Sequence, residues 1–396
     1  MSLSKAFIPY GAYWSTPFCR WQGSLSGYNS VELAAQVASA VLAEKQVAPE
    51  TFDGVLLGMT VPQAASFYGA PWLAGMIGAA GVTGPTIAQA CATSARVIAT
   101  AAAEVETGQR TCLLGVSADR TSNGPHLYYP NPAAPGGRGQ AEDWVWDNFN
   151  RDPYAGGAMI QTAENVAREA GISKEAQDEL TLLRYQQYQD ALANGRAFQQ
   201  RYLAKVQLKK GKAVTVVDAD EGAFPTTADG LAKLKPVLEG GTVSYGTQTF
   251  PADGNAGIVV CTRERAEKLS REAKLPIQLL SFGEARTKKA FMAMAVVPAA
   301  QQAVERAGIK LSDCRAIKTH NPFAVNDVYF CKQTGVAAEA MNRYGSPLIY
   351  GHPQGPTGTR AVIELIEELA LAGGGYGLFA GCAAGDTAMA LVLKVG

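Results

Sequence analysis

The sequence predicts an α/β fold made of two related halves, with a helical segment inserted on the way. Three observations carry this expectation. Apolar runs of strand length alternate with runs of helix length, first in the opening third and again near the end. A helix–strand unit of the first part is echoed in the last. Between them, a Pro/Gly-dense stretch is followed by charged, amphipathic helices.

The first helix is "SVELAAQVASAVLAEKQV" (Ser30–Val47), which sets Leu33, Val37, Val41 and Leu42 on one face, with Ser30 as N-cap. "DGVLLGMTV" (Asp53–Val61) reads as a buried strand, and "TCLLGVSAD" (Thr111–Asp119) as a second. Between them, Ile87–Gly108 reads as a helix from about Cys91, closed by Gly108, with small apolar residues on most faces. Asn123–Gly139 ("NGPHLYYPNPAAPGGRG") is expected as loop, and the helices "MIQTAENVAREAG" and "SKEAQDELTLLRYQQYQDALANG" follow it. From about Leu279 the alternation returns. The stretch "PTGTRAVIELIEELALAG" (Pro356–Gly373) has the same length and layout as "CATSARVIATAAAEVETG" (Cys91–Gly108), and each leads into a strand. The expected division is residues 1–120 and 246–275 for the first half, 121–245 for the inserted loop domain, and 276–396 for the second half.

Composition removes several function classes. Lys plus Arg and Asp plus Glu both number 35, and no basic block interrupts the balance, which argues against nucleic acid. The start lacks the basic and apolar regions of a secretory leader, and no apolar run reaches membrane-spanning length. Seven scattered cysteines without a CxxC pair point away from disulfides or a zinc site and toward a reducing cytoplasm.

Four segments carry chemistry. Cys91 stands where a helix starts, and the partial positive charge of a helix N-terminus lowers a thiol pKa. Two of the three histidines, His320 in "THNPFAVND" and His352 in "GHPQGPTG", sit in loops pinned by Pro or Gly, where an imidazole can take a thiol proton or donate to an oxyanion. His126 reads as structural. Cys382 in "AGCAAGD" is flanked by small residues that let a ligand approach, so it reads either as a second proton-handling thiol or as a packed core cysteine.

Taken together, "QACATSARVIATAAAEVETG", "GVSADRTSNGP", "MIQTAENVAREAGISKEAQDELTLLRYQQYQDA", "THNPFA", "GHPQGPTG" and "GCAAGD" resemble, in order and over nearly the whole chain, the thiolases, acyl-CoA C-acyltransferases that cleave or form 3-oxoacyl-CoA. The resemblance implies a five-layered αβαβα fold, dimers or tetramers, and coenzyme A as co-substrate with no permanently bound cofactor and no metal. It implies Cys91 as acyl-carrying nucleophile, His352 as its activator, and Cys382 as general acid/base. His320 stands where an asparagine often orients a water in the first oxyanion hole, and the N–H groups of Cys91 and Ala384 form the second. Thr249 lies where a CoA-contacting serine is common, and Phe250 replaces a small residue, as an acyl-pocket wall or a loop anchor. "ATS", "AAGD" and "HPQGPTG" depart from the usual motifs. The aromatic N-terminus "YGAYWSTPFCRWQGSL" and "HNPF" are similar to thiolase subunits that work with a small OB-fold or zinc-ribbon partner, including the benzoylsuccinyl-CoA thiolase of aromatic degradation. Two alternatives stand beside a degradative thiolase: a condensing enzyme of the ketoacyl-synthase type, which shares a Cys-His-His set, and a non-catalytic subunit that binds acyl-CoA.

Overall fold

The computed structural model describes residues 2–396. The chain runs β1 (Tyr13–Ser15), β2 (Cys19–Arg20), α1 (Ser30–Glu44), β3 (Gly54–Gly58), α2 (Gly69–Met76), β4 (Thr86–Ile87), α3 (Thr93–Glu106) and β5 (Cys112–Arg120). It then leaves the sheet for β6 (His126–Tyr129), β7 (Gln140–Asp143), α4 (Trp146–Asn150), α5 (Met159–Ala170), α6 (Lys174–Arg196), β8 (Val206–Lys210), β9 (Ala213–Val217) and α7 (Ala228–Lys233). After its return come β10 (Ala252–Cys261), α8 (Arg263–Leu269), β11 (Ile277–Arg286), α9 (Val296–Ala307), β12 (Cys314–His320) and α10 (Ala324–Thr334). The last elements are α11 (Pro347–Tyr350), α12 (Gln354–Leu371), β13 (Gly375–Ala383) and β14 (Thr387–Val395).

Two sheets share one topology. The first has the order β1-β10-β5-β3-β4, with β2 also on β10; the second has the order β11-β14-β13-β12. In each, two antiparallel pairings are followed by a parallel one: β1–β10, β10–β5 and β5–β3 match β11–β14, β14–β13 and β13–β12. The parallel pairs require crossover helices. These are α3 and α12, which lie side by side and touch both sheets, while α1 and α2 cover the outer face of the first sheet and α9 that of the second. The result is five layers, αβαβα.

The composition of the central layer explains its position. Ala92, Ala95, Ala99, Ala101 and Ala102 of the α3 segment share one buried cluster with Ala361, Val362, Leu365, Ile366 and Leu369 of α12. Gly358 lets the two helices close up, since a Cβ there would lie 3.0 Å from the Ser94 Cβ. Every residue of α12 from Gln354 to Leu369 is buried, including Arg360, Glu364, Glu367 and Glu368. The aromatic N-terminus is packing as well: Tyr10, Tyr13, Trp14 and Phe18 are core residues. Tyr13 and Tyr10 donate to the Glu367 carboxylate at 2.7 and 3.1 Å.

Local expectations shift in four places. Asn29, not Ser30, caps α1, its side chain accepting from Val31 N and Glu32 N. The Asn123–Gly139 stretch contains β6, which pairs with β7 in a short exposed hairpin, so it is not all loop. α3 begins at Thr93, which leaves Cys91 two residues ahead of the helix. The internal echo also has another register. α3 starts at Thr93 and α12 at Gln354, so the residue equivalent to Cys91 is His352, 261 positions on, rather than Pro356.

Candidate active site

The approach to α3 is a tight turn in which Ala90 adopts φ +44°, a conformation that costs a non-glycine residue energy. The turn is held by Thr93, whose hydroxyl donates to Ala90 O at 2.7 Å and accepts from Gln89 N at 2.8 Å. It leaves Cys91 half-buried, while its neighbours on α3 are fully buried.

His352 comes from the equivalent turn before α12. Its Nε2 lies 3.2 Å from Cys91 Sγ, and its Nδ1 lies 2.7 Å from Thr357 Oγ1. With Nδ1–H donating to Thr357, Nε2 is left to accept the thiol proton. The backbone N–H of His352 donates to Phe250 O at 3.0 Å, so the loop ahead of β10 helps to fix the imidazole in place.

The same loop ties in the third segment. Thr249 N donates to Pro322 O at 2.7 Å and Ala324 N to Thr247 O at 2.9 Å, while the Thr249 hydroxyl donates to Pro347 O at 2.6 Å. The Phe250 ring lies against Gly222 and Gly351, where added Cβ atoms would come within 2.9 and 2.7 Å of it. His320, at the end of β12, stacks obliquely on His352 with ring centroids 4.0 Å apart, and neither of its ring nitrogens has a partner. The donor atoms of Cys91, His320 and His352 all lie within 4.8 Å of one another, a set that could also hold a soft metal ion. Cys382, near the end of β13, is buried and accepts from Asn326 Nδ2 at 3.2 Å. Ala384, just beyond, is exposed. His126 stands apart on the exposed hairpin, 3.7 Å from Asp143.

The electrostatics correct one expectation. The helix start does not make Cys91 a resting thiolate: burial pushes its thiol up to about 12, against the pull of the Ala384 N–H. Burial also holds His320 down at about 3, and burial together with the His320 charge holds His352 well below the usual histidine range. The resting pair is therefore a neutral thiol and a neutral imidazole. Burial, then the nearby Cys91, pushes the Cys382 thiol well up.

Three supporting residues carry no sequence signal that singles them out: Thr357, Asn326 and Asp119. Asp119 accepts from Thr60 N, Val61 N and Gly355 N at 2.7, 3.0 and 2.7 Å, tying the end of β5 to the start of α12. All three lie inside quoted motifs, but a Thr and an Asn on helices and an Asp at a strand end have nothing in their residue type to mark them.

The thiolase N-terminal domain profile matches residues 12–264 and the thiolase C-terminal domain profile residues 274–395. The chain belongs to the thiolase family. It is 30% identical to the beta-ketothiolase BktB of Cupriavidus necator, over 94% of this chain and 95% of that one. It is 28% identical to the beta-ketoadipyl-CoA thiolase of Pseudomonas knackmussii, over 96% of each. Among solved structures, the Bacillus anthracis acetyl-CoA acetyltransferase superposes with a TM-score of 0.92 at 25% identity, covering 100% of both chains. Human mitochondrial 3-ketoacyl-CoA thiolase in complex with CoA gives 0.91 at 25% identity, covering 100% of this chain and 99% of that one. This thiolase is a CoA-dependent acyltransferase, with coenzyme A as co-substrate. No helix among the described residues is long and apolar enough to cross a membrane.

Proposed function

We propose that this thiolase cleaves a 3-oxoacyl-CoA through an acyl-Cys91 intermediate. The observation that carries the reading is the 3.2 Å approach of His352 Nε2 to Cys91 Sγ, with a second thiol, Cys382, at the same site. His352 takes the Cys91 proton as sulfur attacks the 3-oxo carbon. The C2–C3 bond breaks, its electron pair passes to C2, and the Cys382 S–H gives C2 its proton. The acyl-CoA built on C1 and C2 leaves, and the shortened acyl group stays on Cys91. Coenzyme A then loses its thiol proton to the Cys382 thiolate and attacks the acyl-Cys91 carbonyl, releasing the shortened acyl-CoA, and the freed Cys91 sulfur takes its proton back from His352. His320 and His352 are the donors proposed for the thioester oxygen, and the N–H groups of Cys91 and Ala384 those for the tetrahedral intermediate. Thr249 and Phe250 are proposed to border the CoA arm.

The acyl group is proposed to be bulky, with an aromatic substrate such as benzoylsuccinyl-CoA as the leading candidate. Its support is Phe250, whose ring borders Gly351 beside His352; the buried N-terminal aromatics lend none. A homodimer or tetramer is proposed from the open sheet edge at β4 and the nearby Phe67, which is 94% exposed. A small OB-fold or zinc-ribbon partner is a further part of this reading, and seven free thiols support a cytoplasmic setting.

The test is mass spectrometry of the protein mixed with a panel of 3-oxoacyl-CoAs, one of them aromatic. A covalent adduct on Cys91 that disappears when free CoA is added is the expected result, and its mass names the acyl group. No adduct with any member of the panel would overturn the reading.

A further inference from the structure

The first turns of α10 carry a polar arrangement that the acyl-transfer steps above do not use. Asp327 is completely buried and saturated. It accepts from Arg184 Nε at 2.9 Å, Thr319 Oγ1 at 2.5 Å, Asn321 Nδ2 at 2.7 Å and Asn342 Nδ2 at 2.9 Å. Arg184 comes from α6 of the insertion, Thr319 from β12 and Asn342 from the loop before α11. Helix α10 is thereby fixed to three other parts of the fold. The residue ahead of Asp327 is Asn326, 2% exposed, with its Nδ2 3.2 Å from Cys382 Sγ and its Oδ1 without a partner.

A buried amide placed against a thiol has a directional consequence. When Nδ2–H donates to sulfur, the sulfur lone pair is engaged on that side and the S–H proton is free to turn elsewhere. When the thiol gives up its proton, the same N–H faces the new negative charge, and a hydrogen bond to a charged group is stronger than one to a neutral group. We propose that Asn326 is a positioning residue for proton transfer at Cys382, holding the sulfur and stabilising its thiolate, while the Asp327 cluster holds Asn326. This rests on the acyl-transfer reading. In the cleavage direction the Cys382 S–H bond breaks, a C–H bond forms at the α-carbon of the departing acyl-CoA, and the charge left on sulfur is met by the Asn326 N–H.

The reverse transfer supplies the test. Acetyl-CoA in D2O exchanges its α-protons when a thiolate base removes them, whereas alkylation of Cys91 by iodoacetamide does not involve Cys382. The proteins compared are wild type, Asn326→Ala and Asn326→Asp. In Asn326→Ala, exchange is expected to fall roughly ten- to a hundredfold while Cys91 alkylation is unchanged. The pH profile of exchange should move upward, because the Asn326 N–H is the larger of the two hydrogen bonds that favour the Cys382 thiolate, the other being the Cys382 backbone N–H, while burial, Cys91 and Asp327 all disfavour it. Asn326→Asp, the same shape with an acceptor in place of the donor, should lose at least as much. Exchange in Asn326→Ala equal to wild type, with an unmoved profile, would overturn the inference. So would Asn326→Asp exchanging faster than Asn326→Ala, since the site would then want an acceptor. A wild-type protein that neither exchanges acetyl-CoA nor becomes acylated would instead refute the acyl-transfer reading, and this inference with it.

Discussion

A thiol held at about 12 is almost wholly protonated at neutral pH, so Cys91 becomes a nucleophile only as its proton moves to His352. This fixes the sign of a pH experiment. The thiolate fraction grows as pH rises toward the thiol pKa, so alkylation of Cys91 by iodoacetamide should climb about tenfold per pH unit from about pH 7 to 10 without a plateau. A resting thiolate–imidazolium pair would level off below about pH 8 instead, and that profile would refute the neutral pair. His352→Ala is expected to slow acylation of Cys91 by about 10²- to 10⁴-fold, the usual span for loss of a general base, as read by stopped-time mass spectrometry. At this scale the sequence marks unusual residue types well. Few histidines and a cysteine among glycines stand out against their surroundings. Asn326, Thr357 and Asp119 do not, because amides, hydroxyls and carboxylates are common, and their meaning comes from partners far away in the chain, such as Cys382 for Asn326.

Among the elements, α12 is the one whose sequence misleads. Its charged residues suggest a solvated face, yet they are buried and paired. Arg360 makes a two-pronged contact with Asp220 at 2.6 and 2.8 Å and reaches Glu364 at 3.0 Å. Glu367 gathers Arg201 at 2.6 Å and Arg271 at 3.0 Å. Such pairs are costly to break singly, because the abandoned partner stays buried. Arg360→Met should therefore destabilise the fold by about 3–5 kcal/mol, measured by denaturant unfolding. A loss within experimental error would show that water reaches Asp220. Strands and helices with strong periodicity are legible in the sequence. The β6–β7 hairpin is not, because four-residue strands bounded by Pro and Gly have too little pattern to separate them from loop.

At the scale of the whole molecule, α3 and α12 belong to one buried cluster that draws on both sheets. Neither half can cover its central helix without the other, so thermal unfolding should show a single calorimetric transition. Two resolved transitions would mean that the halves are independent. The duplication itself is visible in the sequence, but its register is not, because the likeness lies in layout and the helix starts are set by tertiary contacts. The corrected register has an evolutionary consequence. Cys91 and His352 occupy the same place in the two repeats, each two residues ahead of its helix. A symmetric pair of identical half-length chains must present the same residue at both places, two cysteines or two histidines. Nucleophile and base could diverge at these sister positions only once the two copies were encoded separately, each free to mutate without changing the other.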